Sequence, residues 1–112
     1  MIQQKDLIIY QGASFKLSHV SSKDLTGASA RMKLRPQHGL TDVLSLVSPT
    51  NITLTVAAGK TTLLVTIGAS ATASLATSGA TANGVYDLET ELAGEVERHL
   101  EGMWFLSPEV TA

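Results

Sequence analysis

The sequence predicts an all-β domain, an antiparallel sandwich or small barrel, from three observations. Apolar and polar residues alternate with a period of two through most of the chain, and turn-forming residues interrupt them at short, regular intervals. No stretch shows the 3.6-residue apolar spacing of a long amphipathic helix. The predicted count is about eight to nine strands of about five residues each, with one short helical turn near 69–76. A chain of 112 residues that is 44% hydrophobic fits one domain, 1–112, with one ordinary core.

In order along the chain, residues 5–10 form the first expected strand. Gln11-Gly12 turns into residues 14–19, where Phe15 and Leu17 alternate with polar neighbours. After a loop at Ser21-Ser22-Lys23-Asp24, Ala28, Ala30, Met32 and Leu34 fall on one face and Ser29, Arg31, Lys33 and Arg35 on the other, until Pro36 stops the run. Residues 37–41 connect to a short apolar strand over 42–47, ended by Ser48-Pro49-Thr50. Ile52, Leu54 and Val56, then Leu63, Val65 and Ile67, make a hairpin around Ala57-Ala58-Gly59-Lys60.

Residues 68–84 are rich in small side chains, and a flexible linker is one reading. The preferred reading is a helical turn over 69–76 that plugs one end of the sandwich with Leu75. The last hairpin spans residues 85–109. A three-residue loop, Ala93-Gly94-Glu95, pairs Leu92 with Val96, Thr90 with Arg98, Leu88 with Leu100 and Tyr86 with Gly102 on the core face. The wet face then sets Glu91 opposite Glu97, Glu89 opposite His99 and Asp87 opposite Glu101. Gly102 marks an expected bulge, because Trp104 keeps parity with Leu100 and Phe105 does not. The expected core is Phe15, Leu17, Met32, Leu34, Ile52, Leu54, Val65, Ile67, Tyr86, Leu88, Leu100 and Trp104.

Charge and composition narrow the function. A net charge of −2 gives no electrostatic reason for a nucleic-acid partner, and the chain has no cysteine for a disulfide or thiolate site. The N-terminus lacks a signal-peptide pattern, and no window approaches a membrane span. Gly59-Lys60-Thr61-Thr62 resembles the end of a phosphate loop, but Leu54 occupies the place of its first glycine. His19, His38 and His99 lack metal-ligand spacing, the nearest candidate pair being His99 with Glu89. Gly12-Ala13-Ser14 and Ser78-Gly79 lack the rest of a nucleophile motif, and Asn51-Ile52-Thr53 reads as an accidental glycosylation match. The expectation is no enzyme, no cofactor, no metal and no small-molecule substrate.

Two outward rows remain as interface candidates: basic Arg31, Lys33 and Arg35, and acidic Glu89, Glu91 and Glu97. If the strands that carry them are not neighbours, the rows could meet between copies and orient a homo-oligomer. Exposed strand edges are a second route to partners.

Tyr86-Asp87-Leu88-Glu89, Gly94-Glu95-Val96-Glu97-Arg98, Leu100-Glu101-Gly102 and Ser107-Pro108-Glu109-Val110-Thr111 carry a resemblance. The chain is similar to small tailed-phage and prophage proteins that read YDLE, then G-x-V-x-R-x-L-x-G, then P-E-V-T. Asp24-Leu25-Thr26-Gly27 and Gly12 with Phe15-Lys16-Leu17 fit the same pattern, which extends loosely to the N-terminal domain of phage upper baseplate proteins. The resemblance implies an immunoglobulin-like β-sandwich and a virion structural part of tail, baseplate or fibre. Such a part is made in the bacterial host cytoplasm, and its partners are other phage structural proteins. This chain departs in carrying no additional domain, so its contacts would be made by its surface. Tyr86 also resembles the tyrosine corner of sandwich folds, whose hydroxyl bonds to upstream backbone. The alternative function is a carbohydrate-binding module for a bacterial surface glycan, which needs exposed aromatic platforms.

Overall fold

A computed structural model describes residues 2–36, 44–74 and 83–107. Among the described residues, nine strands and one helix follow in order: β1 Gln3–Gln4, β2 Leu7–Tyr10, β3 Phe15–Ser21, β4 Ser29–Pro36, β5 Leu44–Val47, β6 Ile52–Ala57, β7 Lys60–Ile67, α1 Ala69–Ser74, β8 Asn83–Leu92 and β9 Glu95–Ser107. One sheet has the order β1-β9-β8-β4-β5, with β2 continuing β1 along β9, and the other has the order β3-β7-β6. These match the G-F-C-C′ and B-E-D sets of an immunoglobulin-like sandwich, so the all-β expectation resolves as a sandwich.

The period of two decides which side chains meet between the sheets. Leu17, Ile52, Leu63, Val65 and Ile67 come from the three-stranded sheet. Leu7, Ile9, Ala30, Met32, Leu34, Leu46, Tyr86, Leu88, Leu100 and Trp104 face them from the other. Each large side chain buried this way stabilises the fold by about 1.5–3 kcal/mol. Of the expected core, Phe15 and Leu54 pack against its rim, half-buried.

Polar groups inside are satisfied locally. Thr61 Oγ accepts from Leu25 N–H at 2.9 Å and donates to Lys23 O at 2.9 Å, tying the β3–β4 loop to β7. The expected helical turn is α1, but Leu75 lies outside the described residues. Thr72 does the plugging: fully buried, it accepts from Gly12 N–H at 3.0 Å, with Ala13 O 2.8 Å from its hydroxyl.

Two hairpin turns among the described residues are two residues long. Ala58-Gly59 and Ala93-Gly94 have φ values of 54° and 77°, and 52° and 83°, the positive pair that a type I′ turn demands. The β8–β9 loop is thus shorter than the three residues expected, and Leu92 pairs with Glu95. Further from the turn, Leu88↔Leu100, Asp87↔Glu101 and Tyr86↔Gly102 stand as read from the sequence. A register shift between Leu88 and Glu89 reconciles the two ends, leaving His99 as the extra residue. The bulge is therefore at His99, not Gly102. Gly102 serves another purpose: a Cβ there would lie 2.2 Å from Lys5 O, so its bareness admits the N-terminal strand.

Candidate functional site

The outer face of the larger sheet gathers a band of opposite charges. Arg31 is opposite Glu89, Lys33 opposite Asp87 and Arg35 opposite Val85, because β4 and β8 are direct neighbours. The condition for the basic and acidic rows to meet between copies is therefore not met. They close within one chain: Arg31 Nε reaches Glu89 Oε1 and its Nη1 reaches Glu91 Oε1, each at 3.1 Å. Both carboxylates hold the guanidinium further above its ordinary pKa, Glu91 most.

The bulge at His99 corrects the expected pairings. It turns Arg98 outward opposite Glu89, in place of His99, and removes the like-charge pair Glu91–Glu97. Arg98 contacts Glu101 at 3.2 Å and Asp87 and Glu89 at 3.4 Å each. Gln4 on β1 donates to Glu101 at 2.6 Å. One connected row of polar contacts thus crosses β1, β9, β8 and β4. Glu97 falls on the inner side near the turn, opposite Thr90, where Lys23 meets it at 3.0 Å. That lysine hydrogen bond, first, holds the Glu97 carboxyl below the usual range.

The same shift removes His99 from the wet face. It is 4% exposed, with Nε2 2.7 Å from Thr90 Oγ and its ring centre 5.7 Å from that of His19 on the facing sheet. Glu89 lies on the other side, held by two arginines, so the His99–Glu89 pair does not form. Burial, first, lowers the pKa of both imidazoles. Among the described residues, no three metal-ligating side chains converge. His38 lies outside them.

Beside the charged row lies a groove of ≈ 410 Å³, lined by Gln4, Lys33, Arg35, Asp87, Arg98 and Met103 among others. Burial, first, and then the charge of Glu89 raise the pKa of Asp87 there. The groove runs into apolar ground. Ile8 is directly opposite Phe105 and Val85 opposite Met103, all on the outer face, with Tyr10 two residues along β2. Ile8 and Tyr10 are 56% and 60% exposed, Val85 39% and Phe105 37%. A contiguous apolar patch at the edge of a sheet is a feature of contact surfaces.

Reasoning from sequence missed this patch. Its signal was available in Leu7-Ile8-Ile9-Tyr10, four apolar residues in a row, of which a one-sided sheet must turn two to solvent. Trp104 and Tyr86 are buried, as expected, so neither offers a sugar platform. Tyr86 does bond to upstream backbone, but its partner is Lys5 O at 2.5 Å, between β1 and β2, rather than a neighbour in a corner. No protein-family model matches the chain, and no curated protein matches it.

Proposed function

We propose that this chain is a non-enzymatic structural part of a tailed-phage or prophage particle, a component of tail, baseplate or fibre acting through protein contacts. The observation that carries the contact role is the patch of Ile8, Tyr10, Val85, Met103 and Phe105 beside the self-neutralised row of charges. Apolar side chains supply the burial that a partner needs. Lys33, Arg35 and Asp87 at the rim supply orientation more than affinity. The motifs at Tyr86-Asp87-Leu88-Glu89 and Gly94 to Gly102 support the phage assignment through their resemblance.

The test is quantitative mass spectrometry on gradient-purified particles from a strain that encodes the chain. The reading expects a fixed number of copies per particle, retained through a second gradient. Absence of the chain from intact particles would overturn it.

A further inference from the structure

The larger sheet ends on β1 and β2, and two backbone bonds fix which groups along that edge are used. Lys5 N–H donates to Glu101 O at 3.0 Å, and Gln11 N–H donates to Ser107 O at 2.9 Å. A strand residue turns its N–H and C=O to one side, and its neighbours turn theirs to the other. With Gln4 opposite Glu101 and Tyr10 opposite Ser107, Lys5, Leu7, Ile9 and Gln11 therefore face β9. Asp6, Ile8 and Tyr10 aim their N–H and C=O groups away from the sheet. Burial follows the same division: Leu7 and Ile9 are buried, whereas Asp6, Ile8 and Tyr10 are all exposed. The Tyr10 carbonyl accepts from Ala13 N–H at 3.1 Å and keeps its second lone pair.

Natural edges are blunted by charge, proline, shortness or a kink. Among the described residues, β3 carries Lys16. On β5, Val47 N–H donates to Asn51 Oδ1 at 3.4 Å and Val47 O accepts from Asn51 N–H at 2.8 Å, so that edge is already capped. β6 begins at Ile52, which is fully buried. β2, Leu-Ile-Ile-Tyr, is short but has neither charge nor proline, and both of its outward side chains are large and apolar.

We infer that β2 pairs with β2 of a second copy, antiparallel about a two-fold axis at Ile8. The edge is self-complementary in that register: Ile8 lies opposite Ile8 of the partner subunit, and Asp6 opposite Tyr10 of the partner subunit. Each of the outward backbone positions then finds a partner, and no like charges oppose one another. An axis centred on Asp6 would instead set two carboxylates face to face. The larger sheets of the two copies become one continuous sheet, and their apolar patches around Ile8, Tyr10 and Phe105 merge across the axis. The net charge of −2 leaves little long-range repulsion between copies. Two four-residue strands bury less than the roughly 1,200 Å² of a standard interface, so the dimer is weak, with Kd on the order of 100 μM to 1 mM. The inference rests on the strand register and stands whether or not the chain belongs to a particle.

Sedimentation equilibrium and amide hydrogen exchange on the purified chain, across protein concentration, test it. In dilute protein the Ile8 and Tyr10 amides exchange fast while those of Ile9 and Gln11 are slow. At about 1 mM protein, Ile8 and Tyr10 become protected at least severalfold and the mass average rises toward a dimer. Ile8→Lys and Ile8→Glu are each folded and monomeric, because the axis sets like charges together, and an equal mixture of the two forms a heterodimer. Val85→Lys, which charges the patch two strands from the edge, still dimerises. A wild-type monomer throughout that range would overturn the inference. So would dimerisation that leaves Ile8 and Tyr10 unprotected, that survives Ile8→Lys or is lost with Val85→Lys, or a mixture of the two Ile8 variants that stays monomeric.

Discussion

Tyr86 and Trp104 stand diagonally across β8 and β9, each opposite a glycine: Tyr86 faces Gly102 and Trp104 faces Gly84. Neither ring bonds to the strand beside it; each reaches one strand further. The Tyr86 hydroxyl donates to Lys5 O at 2.5 Å, and the Trp104 indole N–H donates to Arg35 O at 3.0 Å. Two aromatic side chains thereby tie β1–β2, β9, β8 and β4 together from inside, satisfying carbonyls in the break between β1 and β2 and near the end of β4.

The glycines are the condition for both crossings. A Cβ on Gly84 would lie 1.8 Å from Arg35 O and one on Gly102 2.2 Å from Lys5 O, so backbone must move. Gly84→Ala and Gly102→Ala are each expected to cost about 2–3 kcal/mol in urea unfolding followed by tryptophan fluorescence. Unchanged midpoints would contradict the geometry.

Tyr86 makes the fold sensitive to alkali. Burial, first, and the nearby Asp6 charge push its hydroxyl up to about 12. The folded value lies above the unfolded value near 10, so its contribution is complete below about pH 10 and lost as pH rises toward 12. Tyr86→Phe should cost about 1–2 kcal/mol at pH 7. The wild-type advantage should then shrink by on the order of 1 kcal/mol per pH unit above pH 10.

His99 sets the opposite limit. Its folded pKa is depressed below 6.5 by burial, so the stability it confers is present above 6.5 and falls as pH drops below that value. His19 across the sandwich is lowered by burial and by His99, while Lys23 disfavours and Glu97 favours the charged His99. Wild-type unfolding midpoints should decline between pH 7 and 5, and His99→Gln should flatten that decline. Histidine ring resonances titrating at the ordinary position would refute the assignment.

The charged row is worth less than its appearance suggests. Arg98 touches three carboxylates but its side chain is 43% exposed, and Arg31 is 37% exposed. Removing either by substitution to Ala should cost about 1 kcal/mol or less, and 1 M salt, where the Debye length is about 3 Å, should erase most of the difference. A cost that persists in salt would mark packing of the arginine stems instead.

The β6–β7 and β8–β9 hairpins carry alanine where φ is positive, at Ala58 and Ala93. Asn tolerates that region better, so Ala58→Asn and Ala93→Asn should each stabilise by about 0.5–1 kcal/mol. Thermal unfolding of the single and double variants measures it, with additive gains expected for turns on different sheets.

The strands and the core were legible because alternation reports burial directly, as at Ala30, Met32 and Leu34. The β8–β9 register was legible only beyond the bulge. A single inserted residue, His99, leaves no mark in a periodic pattern, and Ala93-Gly94 is a weaker turn signal than Asn-Gly. Charge opposition carried the missing clue: a band with Glu91 opposite Glu97 is repulsive, and the shift that removes it brings Arg98 among the acids. The patch around Ile8 and Phe105 escaped notice because outward apolar residues look like core residues until the sheet assigns faces.

The most direct measurement is particle incorporation of a folded Ile8→Lys/Phe105→Lys variant beside Leu64→Lys, which places a lysine on the outer face of the three-stranded sheet at a site 37% exposed. The account predicts that Leu64→Lys enters particles at wild-type copy number and the double variant is left out, with equal thermal stability for both. Wild-type copy number for the double variant would contradict it.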